Sequence, residues 1–556
     1  MAATVIESNT PINIEQHFQI KAGPGAGKTY WLIQHIKHVL NTSVRLGKIK
    51  RIACITYTNI GVETIHGRLP DCADRVEVCT IHSFLYDNII KPYFHYIAPE
   101  YNFATDKMKV VDDTLLTSNG AIYQLKNNIR KVQIYKDDDA LRQALFSSRW
   151  VFDGTDLKFK PPYPMKSSRY TIPQSFYDAY KKYAWEHGIM HYDDVLYFSY
   201  KLMVKYPFVA NMISAKYPYI FIDEFQDSTP IQVEIIKIIA SMHHSVVGVI
   251  GDKAQAIYGF AGTDPGLFEN FTLEGMQMYE IKGNRRSSEE IITLLNAIRP
   301  DLQQHAVNKR HTEPPILYVG DAIDCYNKFN THCGSNITSL SYAKITSNAL
   351  RKQLGQIPKD ENLLSSIPDD NWKRVKELTN CITAIEYALA GVIKDALKAL
   401  KKIEEDERKQ LLLISRLLGD YNTFKDQSIE YFISYLKKDL GFNITGLSKG
   451  KAKDFYSSKT YTNLALYISS PEISNIQDKT IHKAKGDEFD NVMVVLREED
   501  DLKFLTQSNL DAPSDEHRVY YVAISRARNR LAICVPTLST EVEKKLASLP
   551  INIERV

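Results

Sequence analysis

Short apolar runs, each ending at a polar or glycine-rich turn, divide the chain into alternating strand-like and helix-like segments. Gln19-Ile20-Lys21-Ala22 is brief and partly apolar, as suits a strand, and Tyr30-Trp31-Leu32-Ile33 with Ile36, Val39 and Leu40 recurs at helical spacing. Tyr219-Ile220-Phe221-Ile222 and Val246-Val247-Gly248-Val249-Ile250 are continuous β-prone runs, the pattern of strands covered on both faces of a parallel sheet. Further on, Val375, Leu378, Ile382, Ile385, Leu389 and Ile393 fall three and four apart, which predicts helix over Trp372 to Leu418. Together these patterns predict an α/β fold with parallel sheets flanked by helices. Two long stretches interrupt it. The first, about 86–207, is rich in Tyr, Lys and Asn and contains Lys158-Phe159-Lys160-Pro161-Pro162-Tyr163-Pro164; the second spans about 351–469. Stretches of this length have to be subdomains rather than loops, and both are expected to be mainly helical. Within the second, the charged run from Lys401 to Lys409 fits a solvated helical face or turn better than a binding surface.

The turns at the ends of the predicted strands carry the chemistry. After the first strand comes Gly23-Pro24-Gly25-Ala26-Gly27-Lys28-Thr29, and a helical pattern follows it. That is the strand, loop and helix context of a phosphate-binding loop, with Ala22 and Tyr30 flanking it. Its glycines let backbone N–H groups face the β- and γ-phosphates, and the helix adds its positive end. Lys28 would neutralise phosphate charge and Thr29 would offer its hydroxyl to Mg2+. The alternative is a glycine-rich turn that binds nothing. Tyr219–Ile222 runs directly into Asp223-Glu224-Phe225-Gln226-Asp227. Ligands of such sheets lie beyond the carboxyl ends of the strands, so Asp223 would hold Mg2+ and Glu224 would orient or deprotonate the attacking water. An acidic turn without chemistry is the alternative here. The third strand leads into Gly251-Asp252-Lys253-Ala254-Gln255, which puts Gln255 where it would sense the γ-phosphate. ATP or GTP binding follows from these residues.

Composition narrows the picture. The 556 residues allow three or four domains, and 44% apolar with 24% charged residues is ordinary for a globular protein. With a net charge of +3, nucleic acid has to be held by a local channel rather than by a globally basic surface. The seven cysteines show no C-x-x-C pairing and read as reduced thiols. Cys325, His332 and Cys333 lie close in sequence and leave a zinc site as an alternative. No stretch is long and apolar enough to span a bilayer, and the first thirty residues lack a signal-peptide core, so the expected location is cytoplasmic.

The motifs, taken in order, resemble those of superfamily 1 helicases of the UvrD/Rep/PcrA type. Beyond the phosphate loop, Thr56-Tyr57-Thr58-Asn59 and Thr80-Ile81-His82-Ser83-Phe84 are similar to the first DNA-contacting blocks. Asp223–Asp227 resembles motif II, Gly251–Phe260 motif III and Asn284-Arg285-Arg286-Ser287 motif IV. Thr480–Phe489 resembles motif V, and Tyr521-Val522-Ala523-Ile524-Ser525-Arg526-Ala527 motif VI. The resemblance implies two RecA-like P-loop domains: 1A at 1–85 and 208–278, with insertion 1B at 86–207, and 2A at 279–350 and 470–556, with a reduced helical insertion 2B at 351–469. It implies ATP and Mg2+ as ligands, catalytic roles for Lys28, Glu224, Gln255, Arg286 and Arg526, and a ribose contact from Glu488. Arg526 would act as an arginine finger when the two domains close on ATP. Tyr57, Tyr258 and Phe260 would stack bases of a single strand, with Asn59, Thr80, His82 and His482 at its backbone. The implied activity is ATP-driven movement on single-stranded or tailed duplex DNA, 3′ to 5′, in repair or antiphage defence.

Several positions depart from that pattern. No adenine-reading glutamine motif surrounds Gln16 or Gln19, Arg285 stands where the family has tyrosine, and Ala261 stands where it has arginine. Motif V has Lys483 and Asp487 in place of the commoner serine and leucine. With a short second insertion and no appended nuclease expected, the architecture resembles the helicase subunit of Gabija-type antiphage systems, which works beside an OLD-like nuclease. Two other classes stay open. One is a nucleotide- or DNA-gated subunit that controls a partner nuclease without processive unwinding, and the other is a nucleotide-binding module with no nucleic acid partner.

Overall fold

The computed structural model describes residues 3–69, 74–110, 119–128, 138–167, 170–334, 336–351, 372–401, 403–442, 444, 446–447, 450–468, 477–512 and 514–556. Cys72, Lys402 of the charged run, and 352–371 at the start of the second insertion lie outside the described residues. The chain divides into two compact units: 1–286 with 300–308 and 510–518, and 287–299 with 309–509 and 519–556.

The first unit is built on a seven-stranded parallel sheet. Its strands are β1 (Thr4–Ile6), β2 (Phe18–Ala22), β3 (Ile52–Thr56), β4 (Val76–Thr80), β5 (Tyr219–Ile222), β6 (Val246–Gly251) and β7 (Gln277–Ile281), in the order β1-β7-β2-β6-β5-β3-β4. The continuous apolar runs are explained by burial on both faces. Tyr219 and Phe221 of β5 pack with Phe18, Trp31, Leu32 and Ile36 on one side, while Ile220 and Ile222 pack with Ile235, Ile236 and Ile239 on the other. Among its described residues, insertion 86–207 is mainly helical, with short strands beside the helices. Beside the helices Gln174–Glu186 and Tyr192–Lys205 it carries an antiparallel hairpin of Arg149–Asp153 and Asp156–Lys160, turning at Gly154.

One buried group of this core carries a pH dependence. His35 stacks on Trp31 with ring centroids 4.7 Å apart, meets the edges of Phe18 and Phe221, and has no hydrogen-bond partner at either ring nitrogen. Burial, with a smaller contribution from His38, pushes its pKa down to about 3. The unfolded chain therefore binds a proton that the folded one refuses, and stability falls as the pH drops below the ordinary histidine value. At pH 5 this group is expected to cost about 2 kcal/mol relative to pH 7. Urea unfolding of the protein and of His35→Phe at both pH values checks it, because the difference between the two chains isolates this ring. Equal pH sensitivity in both chains contradicts the assignment.

The second unit contains a six-stranded parallel sheet. Its strands are β8 (Ile316–Val319), β9 (Ile337–Ser341), β10 (Gln477–Thr480), β11 (Phe489–Val495), β12 (Ala527–Val535) and β13 (Asn552–Arg555), in the order β10-β9-β11-β12-β8-β13. Between β9 and β10 lies a helical body whose core includes Leu378, Ile382, Ile385, Phe424, Phe432, Leu436 and Tyr461. The helix predicted over Trp372 to Leu418 is in fact three: Trp372–Leu389, Ile393–Leu400 and Glu407–Gly419. A turn at Ala390 and Gly391 ends the first, and Asp406 caps the third by accepting from Lys409 N. Leu389 and Ile393, on either side of that break, are exposed. Among the described residues the cysteines are free thiols, and no helix is long and apolar enough to cross a membrane. Cys325 and Cys534 are buried in the same core cluster of the second unit, and the backbone carbonyl of His332 accepts from Arg530.

Candidate nucleotide and DNA site

β2 delivers the chain to the phosphate loop, and the helix Lys28–Thr42 leaves it. Gly25 has φ +71°, and a Cβ there would lie 2.4 Å from Asn284 Oδ1, so glycine is the residue that both the backbone and the space admit. The loop is gripped from outside. Asn284 Nδ2 and Gln304 Nε2 both donate to Pro24 O, at 3.1 and 3.0 Å, Arg285 N donates to Gly25 O at 2.9 Å, and Arg285 Nε donates to Ser8 Oγ at 2.8 Å. Asn284 Oδ1 also accepts from Arg286 N, which seats Arg286 against the loop. Lys28 is buried with Nζ 3.4 Å from Ala22 O, while Tyr30 is exposed on the first helical turn.

Asp223 and Glu224 stand at the carboxyl end of β5. Thr29 Oγ1 donates to Asp223 Oδ2 at 3.4 Å, and Asp223 Oδ1 accepts from Glu224 N at 3.0 Å. Burial and the neighbouring Glu224 charge push the Asp223 pKa up to about 7, against the pull of Lys28. A hydroxyl beside a buried carboxylate fits Mg2+, which takes one or two protein oxygens and completes its shell with phosphate and water. Glu224 has φ +53°, an uncommon conformation for a side chain of its kind.

From Glu224 a bonded chain leads into the loop after β6. Gln226 Nε2 donates to Glu224 Oε2, Gln226 Oε1 accepts from Asp252 N at 3.0 Å, and Gln255 Nε2 donates to Asp252 Oδ2 at 2.7 Å. Three residues past Gln255, Tyr258 stacks on Tyr57 with centroids 5.0 Å apart and planes 23° apart. Phe260 meets Tyr258 edge-on and is 66% exposed. Burial and Asp227 push the Tyr57 hydroxyl up to about 12, with the Arg149 charge acting in the opposite direction. Asn59 is exposed at the start of the helix Asn59–Gly67. Thr80 caps the helix Ile81–Leu85 by accepting from Ser83 N, and His82 lies edge-on to Tyr192 with burial holding its pKa near 4. The first unit thus brings together Ala22 to Tyr30, Asp223, Glu224, Gln255 and Arg286 in one region, and connects it to Tyr57, Tyr258 and Phe260.

Three expected residues belong to the second unit. Arg526 is buried, with Nε donating to Val522 O at 3.1 Å and Nη2 to Ser525 Oγ at 3.0 Å. Glu488 is ion-paired with Arg528 at 2.9 Å, and His482 lies edge-on to Tyr342.

Sequence reasoning missed Ser8, Gln304, Arg149 and Arg518. Arg518 is buried and donates to the carbonyls of Ala256, Leu510 and Ala512, while Lys253 pairs with Asp511 at 2.8 Å. These contacts tie 510–518 to the loop that carries Gln255 and Tyr258. An isolated Ser, Gln or Arg has no spacing signature, so nothing in the sequence marked them.

Two family models match the chain, the UvrD/REP helicase N-terminal domain over residues 5–274 and the UvrD-like helicase C-terminal domain over residues 393–537. The chain is 24% identical over 594 residues to the Gabija protein GajB of Bacillus cereus strain HuB5-5, an alignment covering 85% of this chain and 84% of that protein. It is also 24% identical over 445 residues to the ATP-dependent DNA helicase PcrA of Staphylococcus aureus strain Mu50, covering 76% of this chain and 54% of that protein.

Proposed function

Because this chain belongs to the UvrD-like family of ATP-dependent DNA helicases and is a hydrolase of that family, we propose that it moves 3′ to 5′ along single-stranded DNA and separates the strands of tailed duplexes. The observation that carries this reading is the bonded path from Glu224 through Gln226 and Asp252 to Gln255, three residues from the Tyr57–Tyr258 stack. A change in charge at the carboxylates has a short, buried route to rings that grip bases.

In this reading the backbone N–H groups from Gly25 to Thr29 and the Lys28 ammonium hold the triphosphate of ATP. Thr29 and Asp223 would hold Mg2+, which would supply positive charge against the phosphates when bound. Glu224 takes the proton of the attacking water, and Gln255 reports the state of the γ-phosphate. Arg286 and Arg526 stabilise the charge that builds on the transferred group, and Glu488 bonds the ribose. Tyr57, Tyr258 and Phe260 are stacking platforms that accept any base, with Asn59, Thr80, His82 and His482 at the strand backbone. The likeness to a Gabija protein along most of both chains supports cytoplasmic antiphage defence beside a partner nuclease as the setting.

Measuring ATP turnover with and without a single-stranded oligonucleotide tests the reading. Turnover is expected to rise with DNA, and Phe260→Ala is expected to raise the DNA concentration needed by roughly 5- to 150-fold, the equivalent of ~1–3 kcal/mol per stacked base. Strand displacement on 3′-tailed but not 5′-tailed duplexes fixes the direction. DNA-stimulated turnover with no displacement favours the gated-subunit reading, and turnover indifferent to DNA removes both.

A further inference from the structure

The loop Ala256-Ile257-Tyr258-Gly259-Phe260-Ala261-Gly262 carries the exposed ring proposed to grip a strand, yet contains no cationic residue. Two arginines from elsewhere bond to it. Arg518, at its start, is buried and spends its donors on three carbonyls. Arg149, at its end, is different. It is the first residue of the hairpin in insertion 86–207, it is half-buried, and its Nη2 donates to Phe260 O at 2.5 Å. Among the described residues no carboxylate lies within ion-pair distance of it, and its buried Nε–H has no acceptor.

The fit around Arg149 is specific. Gly262 has φ +83°, and a Cβ there would lie 2.8 Å from Arg149 Cδ and 2.9 Å from its Nη1, so the guanidinium stem occupies the space that a side chain would fill. The strand holding Arg149 is fixed by its neighbour. Trp150 Nε1 donates at 2.8 Å to the buried Asp194 carboxylate, which also bonds Lys181 at 2.7 Å and the His191 backbone N–H at 3.0 Å. Burial pushes the Asp194 carboxyl up, but Lys181 and His191 outweigh it and hold the group well below the usual carboxylate range. A charge-compensated anchor therefore presents an arginine that feels the Asp193 carboxylate electrostatically but is not in direct ion-pair contact with it. With Nε buried and one Nη2 hydrogen on Phe260 O, the remaining Nη hydrogens of this half-buried guanidinium, which has no carboxylate in direct contact, are disposed toward an anion that arrives from outside.

We propose that Arg149 contacts a phosphate of the single strand beside the base stacked on Phe260, so that the insertion supplies the cation its platform loop lacks. This rests on the helicase reading and deepens it by naming a strand contact outside the resembled motifs. One guanidinium thus anchors the loop through a carbonyl and the strand through a phosphate.

The test is the salt dependence of binding to a fluorescent oligothymidine, with thermal unfolding confirming that each variant is folded. Loss of one phosphate contact is expected to make the slope of log K against log salt shallower by about 0.7. Arg149→Gln keeps a donor for Phe260 O but loses the charge, so its slope is expected to fall by that amount. Arg149→Lys keeps the charge and is expected to retain the wild-type slope. Phe260→Ala is expected to bind more weakly with the slope unchanged. An unchanged slope in Arg149→Gln overturns this proposal while leaving the helicase reading intact. Absence of oligothymidine binding by the wild type overturns both.

Discussion

Glu224→Gln is expected to bind MgATP as the wild type does and to turn it over about 10²–10⁴-fold more slowly, the usual worth of a positioned general base. Three features of its surroundings separate binding from chemistry. The substitution conserves volume and leaves an oxygen to accept from Gln226 Nε2, so the bonded path to Asp252 and Gln255 is kept. Asp223 and Thr29, which would hold Mg2+, are untouched and remain within hydrogen-bond distance of each other. The left-handed backbone at position 224 costs glutamine about what it costs glutamate, so no strain is released that would rearrange the strand end. What is lost is the carboxylate that accepts a proton. Equilibrium binding of a fluorescent ATP analogue followed by single-turnover hydrolysis measures the two halves independently. Turnover within a few-fold of wild type removes Glu224 from the base role and points to another route for the proton.

The parts of this protein that were legible in its sequence are those whose cause is local. A run such as Tyr219–Ile222 is apolar because alternate residues enter two different cores, and the carboxylates at its end fall where a parallel sheet puts ligands. The phosphate loop is readable because its glycines and Lys28 sit at spacings set by one turn. Arg149 could not be found in this way: its meaning comes from Phe260, 111 residues away, and from Gly262 making room for it. Gln304 reaches Pro24 across 280 positions on the same terms. The helix break at Gly391 was hidden because three-and-four spacing ran across it, although the glycine itself was a signal. The hairpin at Arg149–Lys160 has its sequence signal in the alternation of Asp156–Lys160 and in the turn at Asp153-Gly154, but its first arm, with Trp150-Val151-Phe152, does not alternate. Local chemistry is thus well written in the chain, whereas the bracing that sets its geometry is written only in long-range pairs.

Lys28→Met is expected to fail at the step before Glu224→Gln, and its physical basis is charge. The Lys28 ammonium is buried near Asp223, where it opposes the rise in the Asp223 pKa. Methionine matches the apolar stem in length, so packing around Ala22 and the helix start is preserved while the cation is removed. A hydrogen bond to a charged group is worth about 1.5–3 kcal/mol, so ATP affinity is expected to fall roughly 10- to 150-fold. Turnover is expected to fall further, since phosphate charge grows in the transition state and its nearest buried cation is gone. Nucleotide-induced stabilisation gives the readout. At a concentration 100 times the wild-type Kd the ligand adds about 2.7 kcal/mol to stability, and a 100-fold weaker variant retains only about 0.4 kcal/mol at that concentration. Glu224→Gln should keep the full thermal shift and Lys28→Met should lose most of it, although both are nearly inactive. A full shift in Lys28→Met would show that the backbone N–H groups of Gly25 to Thr29 hold the phosphates without the lysine.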